Sequence, residues 1–149
     1  MEYTKSTQDN WTYKGTLFTS DMIGANYGFV YIITNLENGK RYIGKKFFYS
    51  KKTKVVKNKT NEGKTKRKFK TESDWQSYYG SSDALKEDVL RKGRSVFHRE
   101  IIHLCISKGE CSYYEAKEQF ENNVLLDDNY YNSWIQCKIH KTHIQKRPV

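Results

Sequence analysis

Residues 29–34, Phe29-Val30-Tyr31-Ile32-Ile33-Thr34, are β-branched or aromatic at every position. Such side chains suit a pleated surface under cover, so the run reads as a buried strand. Asn38-Gly39 follows, the pair favoured in a type I′ turn because both central residues need positive φ. Lys40-Arg41-Tyr42-Ile43 then supplies the returning strand. A chain committed to this hairpin must provide further elements to pack on it.

The remaining pattern provides them. Trp11-Thr12-Tyr13 and Thr16-Leu17-Phe18 form a short hairpin turning at Gly15, packed on the domain edge. Ser81-Ser82-Asp83 caps a helix running to Lys92 and ended by Gly93, with Ala84, Leu85 and Val89 at helical spacing. Val96–Leu104 alternates as a third strand. Ser112-x-x-Glu115 reads as a capping box opening a second helix, with Tyr113, Ala116, Phe120 and Val124 on one face. A further short helix is expected over 133–139. The order is a small α+β domain with a three-stranded, mostly antiparallel sheet flanked by helices.

Net positive charge is concentrated in two places. The net charge is +10, yet residues 45–70 alone hold twelve Lys or Arg against Glu62, and residues 136–149 add Lys138, Lys141, Lys146 and Arg147. Closely spaced cations displace counterions from a phosphate backbone together, so a polyanion is the expected partner. The plain alternative is a solvated, lysine-rich loop with Val55-Val56 and Phe69 in a twisted hairpin. No run of about 18 apolar residues or leader-like stretch occurs, which points to a cytoplasmic protein without a membrane partner. Cys105, Cys111 and Cys137 lack paired spacing and read as inert thiols; a zinc cluster with His103 is the alternative.

Gly28-Phe29-Val30-Tyr31 and Tyr42-Ile43-Gly44-Lys45-Lys46 resemble the two strand segments that name the GIY-YIG endonucleases, with Gly28 one place early. Downstream, Trp75-Gln76-Ser77-Tyr78-Tyr79-Gly80-Ser81-Ser82, Phe97–Ile102, Glu115–Phe120 and Tyr130-Tyr131-Asn132 resemble the Seg-like group of phage homing-type endonucleases, over about 11–139. The resemblance implies a nuclease domain over 28–135 containing the basic loop 45–70. Residues 1–27 are an N-terminal extension and 136–149 a basic tail.

It also implies a chemistry. One carboxylate would hold Mg²⁺ or Mn²⁺, the other ligands being water and phosphate oxygens. Glu118 is the first choice, from the following Gln119-Phe120 and its distance to Asn132; Glu115, three residues away on one helix flank, is the runner-up and also reads as the capping partner of Ser112. Tyr42 is the expected general base or water-orienting group and Tyr31 its partner. Lys45 and Lys46 would supply the charge that lowers a tyrosine pKa from about 10. Asn132 would orient the site, and Gly44 would let phosphate approach the backbone. The family's phosphate-binding arginine has no counterpart in 74–82, leaving Lys45, Lys46, Arg67 or Arg99 as substitutes. Arg99 reads equally as a surface cation paired with Glu87 or Glu100; His98 and His103 read as structural or surface groups.

The partner implied is double-stranded DNA, gripped by Lys51, Lys52, Lys54, Lys57, Lys59, Lys64, Lys66, Arg67, Lys68 and Lys70. A homodimer would make paired cuts and a monomer would nick. The same residues also suit a non-catalytic nucleic-acid-binding module with its aromatics as stacking platforms. A small RNA-binding protein fits the charge but gives no reason for the Tyr, Gly, Glu and Asn set.

Overall fold

A computed structural model describes residues 10–57 and 64–144. The strands are β1 (Trp11–Tyr13), β2 (Thr16–Leu17), β3 (Gly28–Asn35), β4 (Arg41–Phe47), β5 (Tyr49–Lys57), β6 (Lys64–Glu72) and β7 (Phe97–Cys105). The helices are α1 (Asp83–Lys92) and α2 (Lys108–Glu121). The class is α+β, but the main sheet has five strands in the order β2-β1-β7-β3-β4, with β1 parallel to β7. The expected three-stranded sheet is therefore its β7-β3-β4 part. The N-terminal hairpin does not merely lean on the domain; it extends the sheet by pairing Trp11 with Arg99 and Tyr13 with Ile101.

The turns differ from expectation in an instructive way. Lys14 and Gly15 both have positive φ between the paired Tyr13 and Thr16, the requirement of a type I′ turn. At Asn38-Gly39 only Gly39 has positive φ, and the chain closes instead through Asn35 N–H to Lys40 O at 2.8 Å and Gly39 N–H to Asn35 O at 2.7 Å. That longer loop leaves Thr34 opposite Arg41, which sets the register of the whole hairpin.

Strand alternation sorts side chains into two layers. Phe29, Tyr31 and Ile33 of β3 face a core with Trp11, Phe48, Trp75, Leu85 and Val89, covered by α1 and the 75–79 segment. Val30, with Ile32 beside it, faces the opposite layer with Ile43, Cys105 and Cys111 under α2. The first layer is unusually aromatic: Trp11 meets Phe29 edge-on at 4.9 Å and Phe48 meets Trp75 at 5.2 Å. Trp11 Nε1 also donates to Trp75 O at 2.7 Å, tying the first strand to the segment before α1.

Helix α1 starts at its expected cap, Ser82 Oγ accepting from Leu85 N–H at 3.3 Å, and ends at Gly93; Ala84 is exposed rather than packed. Helix α2 begins a turn earlier than expected. Ser107, not Ser112, is the cap, accepting from Glu110 N–H at 3.1 Å. Ser107-x-x-Glu110 carries the same signature as Ser112-x-x-Glu115, and the earlier copy wins. The buried face becomes Glu110, Cys111, Ala116 and Gln119, while Phe120 is exposed. Residues 133–139 are not helical.

The basic segment is a second, two-stranded sheet. Strands β5 and β6 run antiparallel from Tyr49 opposite Glu72 to Lys57 opposite Lys64. The register sets Lys51 across from Lys70, Lys54 across from Arg67, and Lys57 across from Lys64. Buried Phe48 pins the root of this ribbon, and Ser73 closes it by donating from Oγ to Phe47 O at 2.6 Å and from N–H to Phe48 O at 2.8 Å.

Candidate active site

Strand β4 is an edge strand, so every second residue points its backbone N–H and C=O away from β3. Buried groups of that kind need partners. Arg41 finds them in the backbone of 129–131: its N–H donates to Asn129 O at 2.8 Å and its O accepts from Tyr131 N–H at 2.7 Å. Ile43 finds them in side chains. Asn132 Oδ1 accepts from Ile43 N–H at 3.1 Å, Asn132 Nδ2 donates to Ile43 O at 2.8 Å, and Gln119 Nε2 donates to the same oxygen at 2.9 Å. Asn132 thus holds the strand that carries Tyr42 and Gly44.

With Ile43 fixed, Tyr42, Gly44 and Lys46 fall on one face of β4 and Lys45 on the other. Register sets Tyr31 opposite Gly44. A Cβ on Gly44 would lie 2.5 Å from the Tyr31 hydroxyl and 2.9 Å from Tyr42 Cε1. The glycine therefore makes room for the two tyrosines and is itself buried, so it does not offer its backbone to a phosphate. Gly80 plays a similar part at φ +89°, bringing the chain past Tyr42 so that Ser81 Oγ lies 2.9 Å from the Tyr42 hydroxyl.

The tyrosines hold their protons. Burial raises the Tyr31 pKa well above its ordinary value, helped by Tyr78, by Tyr42, by a hydrogen bond with Tyr78 and by Glu115. Burial also raises that of Tyr42, while its hydrogen bond with Ser81 pulls the other way. The expected lowering by Lys45 and Lys46 is absent because both cations are engaged elsewhere. Lys45 Nζ lies 3.3 Å from Glu115 Oε1 and donates to Ser112 Oγ at 3.2 Å. Lys46 Nζ lies 2.6 Å from Asp74 Oδ1 and 4.2 Å from the centre of the Tyr78 ring.

A cleft of about 290 Å³ opens along this edge, lined by Tyr42, Lys45, Ser81, Glu115, Gln119 and Asn132 among others. Residues from both faces of β4 meet there. Glu115, not Glu118, is its carboxylate. One turn separates Glu115 from Gln119, so both look toward β4, whereas Glu118 lies about 60° round the helix on the other side. Glu118 Oε1 sits 2.9 Å from His103 Nε2, and its Oε2 accepts from Asn122 Nδ2 at 3.2 Å. His103 also stacks on Tyr114 at 4.6 Å, away from the cleft.

Arg99 is the clearest departure from its expected places. It is 1% exposed, its Nη1 donates to Gln76 O and Tyr78 O at 2.9 Å each, and its guanidinium lies 4.1 Å from the Tyr79 ring and 4.7 Å from the Trp11 ring. It shapes the segment leading to Tyr78 and Ser81 from inside the core. Lys51 and Lys70 stand at the ribbon's root near the Tyr27 and Tyr49 rings. Lys52, Lys54, Lys57, Lys64, Lys66, Arg67 and Lys68 lie along β5 and β6, and Lys59 is outside the described residues.

A magnesium-like cation needs oxygen ligands, keeps several waters, and takes one or two carboxylates. The donor set fits: Glu115 offers a carboxylate with raised proton affinity, chiefly from burial and moderated by Lys45, beside the hydroxyls of Tyr42 and Ser81. Among the described residues no group of three His, Cys, Asp or Glu is placed to hold a metal. No helix of the described residues is long and apolar enough to cross a membrane. Tyr78, Ser81 and Gln119 were not singled out from sequence. The hydroxyl-rich run before and after Gly80 was the available signal for the first two; Gln119 had none.

Residues 11–135 match the family model described as "Putative endonuclease segE, GIY-YIG domain". No curated protein and no solved structure matches the chain at a comparable level.

Proposed function

This chain belongs to the GIY-YIG endonucleases of the Seg-like type, and we propose that it hydrolyses phosphodiester bonds of double-stranded DNA at the β4 cleft with Mg²⁺ or Mn²⁺ on Glu115. The observation that carries the reading is the meeting of Tyr42, Lys45 and Glu115 in one cleft, with Asn132 clamping the strand between the first two. Hydrolysis adds water to phosphorus and breaks the bond to a sugar oxygen; one proton leaves the water and one returns to the leaving alkoxide. A bound divalent ion would polarise the phosphate and neutralise charge on the leaving oxygen.

The side chains divide the remaining work. Tyr42, protonated and hydrogen-bonded to Ser81, orients the attacking water and becomes its base only as positive charge enters the cleft. Tyr31 and Tyr78 buttress it from the core. Lys45 is the proposed substitute for the family arginine: once Glu115 turns to the cation, its ammonium is free to meet the phosphate. The lysines of the ribbon grip the flanking duplex. A phage-encoded, homing-type role in the host cytoplasm rests on the family resemblance alone.

A second reading, a nucleic-acid-binding module without catalysis, draws on Arg99 being committed to the core. Nicking of supercoiled plasmid with Mg²⁺ against EDTA separates the two. Wild type and Glu118→Gln are expected to nick, and Tyr42→Phe and Glu115→Gln to slow on the order of 100-fold or more. DNA binding without metal-dependent nicking would establish the second reading. Loss in Glu118→Gln with retention in Glu115→Gln would overturn the carboxylate assignment.

A further inference from the structure

We infer that Trp134 is a stacking platform for a DNA base next to the scissile phosphate, an inference that rests on the cleft being the cutting site. The chain has three tryptophans, and two of them are core: Trp11 and Trp75 are each 1% exposed. Trp134 is 65% exposed and lines the same cleft as Tyr42, Lys45 and Glu115. Its backbone is held on both sides. Asn132, two residues before, is fastened to Ile43, and Ile135, the next residue, packs against the core under α2. The indole is thus carried on an anchored segment while its ring remains in solvent.

An exposed aromatic face carried on an anchored segment at the cleft is what a base requires, since every base offers a π-face to stack. Ser82, Ser133 and Gln136 line the same cleft and offer donors and acceptors for a base edge. A base lying on Trp134 must have left its own stack, so the substrate is duplex DNA that is unpaired or easily unstacked beside the cut. Pyrimidine–purine steps and single-base bulges give way most readily.

The test uses the full chain in EDTA with a labelled duplex, either fully paired or carrying a one-base bulge. Bulged DNA should quench the emission of the exposed tryptophan in wild type, and the change should vanish in Trp134→Phe, where only the buried tryptophans remain. Trp134→Ala should weaken binding to bulged DNA about tenfold and to paired DNA less than twofold, with Trp134→Phe close to wild type. Unchanged emission at saturating DNA, or equal affinities of wild type and Trp134→Ala for the bulged duplex, overturns the inference. Nicking by wild type with Mg²⁺ is scored separately. If nicking persists with neither quenching nor an affinity difference, the platform fails and the nuclease reading stands; if quenching occurs without nicking under any divalent ion, the nuclease reading fails and base stacking stands.

Discussion

Asn132→Ala tests whether the edge of β4 is held from outside. The substitution removes the acceptor for Ile43 N–H and one of two donors to Ile43 O. The oxygen keeps Gln119; the N–H, in a residue with 0% exposure, keeps nothing among the described residues. An orphaned buried donor costs about 1–3 kcal/mol and a lost neutral hydrogen bond about 1 kcal/mol, the latter cushioned here by Gln119. The expected loss is about 2 kcal/mol, or roughly 4–8 °C in Tm for a chain of this size. Asn132→Asp keeps the acceptor for Ile43 N–H but sets a carboxylate oxygen against Ile43 O where the amide donated, so it should lose at least as much as Asn132→Ala near neutral pH. Thermal melts by circular dichroism, with urea midpoints at unchanged m-value, give the stability. Nicking rates taken well below both melting temperatures give the activity, which should fall in Asn132→Ala because Tyr42 loses its support. If Asn132→Ala melts within about 1 °C of wild type, too small a shift for an orphaned buried donor, the clamp is not what holds the strand. Lost nicking with that unchanged Tm would make Asn132 a group acting on substrate directly.

Three further outcomes follow from the same geometry. Gly44→Ala should lose about 1–3 kcal/mol by overpacking; adding Tyr31→Phe should recover only part in a denaturant melt, because the Tyr31 ring carbon Cζ would still lie 2.7 Å from the new methyl. Arg99→Lys should melt lower by several degrees, since an ammonium cannot reproduce the planar fork and two ring faces that hold Arg99; full stability with lost nicking would return Arg99 to the catalytic group. The raised pKa of Glu115 means the folded protein binds its proton more tightly than the unfolded chain does, so this group's stabilising contribution is present at acid pH and is lost as pH rises through the raised value. Glu115→Gln should therefore melt above wild type near neutral pH, with the gap closing as pH falls below the ordinary carboxylate range; a gap that widens on acidification would contradict the burial argument.

What could be read from sequence was local. The β3–β4 hairpin, the Ser82 cap of α1 and the strand at 97–105 each announce themselves within a few residues, through β-branched runs, a capping serine or alternation. Parallel pairing of β1 with β7 spans more than eighty residues, and a three-residue strand carries no mark of its partner. The Gln119-Phe120 after Glu118 and the spacing to Asn132 favour Glu118 in the sequence, and starting α2 at Ser112 gives Glu115 a capping duty that the true cap, Ser107, leaves it free of. Arg99 was ambiguous for a similar reason. Its burial depends on Trp11 and Tyr79, two rings far apart in the chain that meet in the same core.

The register of the ribbon has a physical consequence of its own. Backbone register pairs Lys51 with Lys70, Lys54 with Arg67 and Lys57 with Lys64, and like charges at paired positions work against the hydrogen bonds that join two strands. A free two-stranded ribbon is marginal even without that repulsion. It behaves as a short polyelectrolyte whose pairing is governed by the ionic atmosphere around it. Added salt screens the repulsion and steadies the ribbon, while the same salt weakens its hold on a duplex by reducing the gain from counterion release. The segment therefore has two salt dependences of opposite sign, and a nucleic-acid backbone laid along it satisfies both at once, replacing the mobile ions with a fixed row of phosphates.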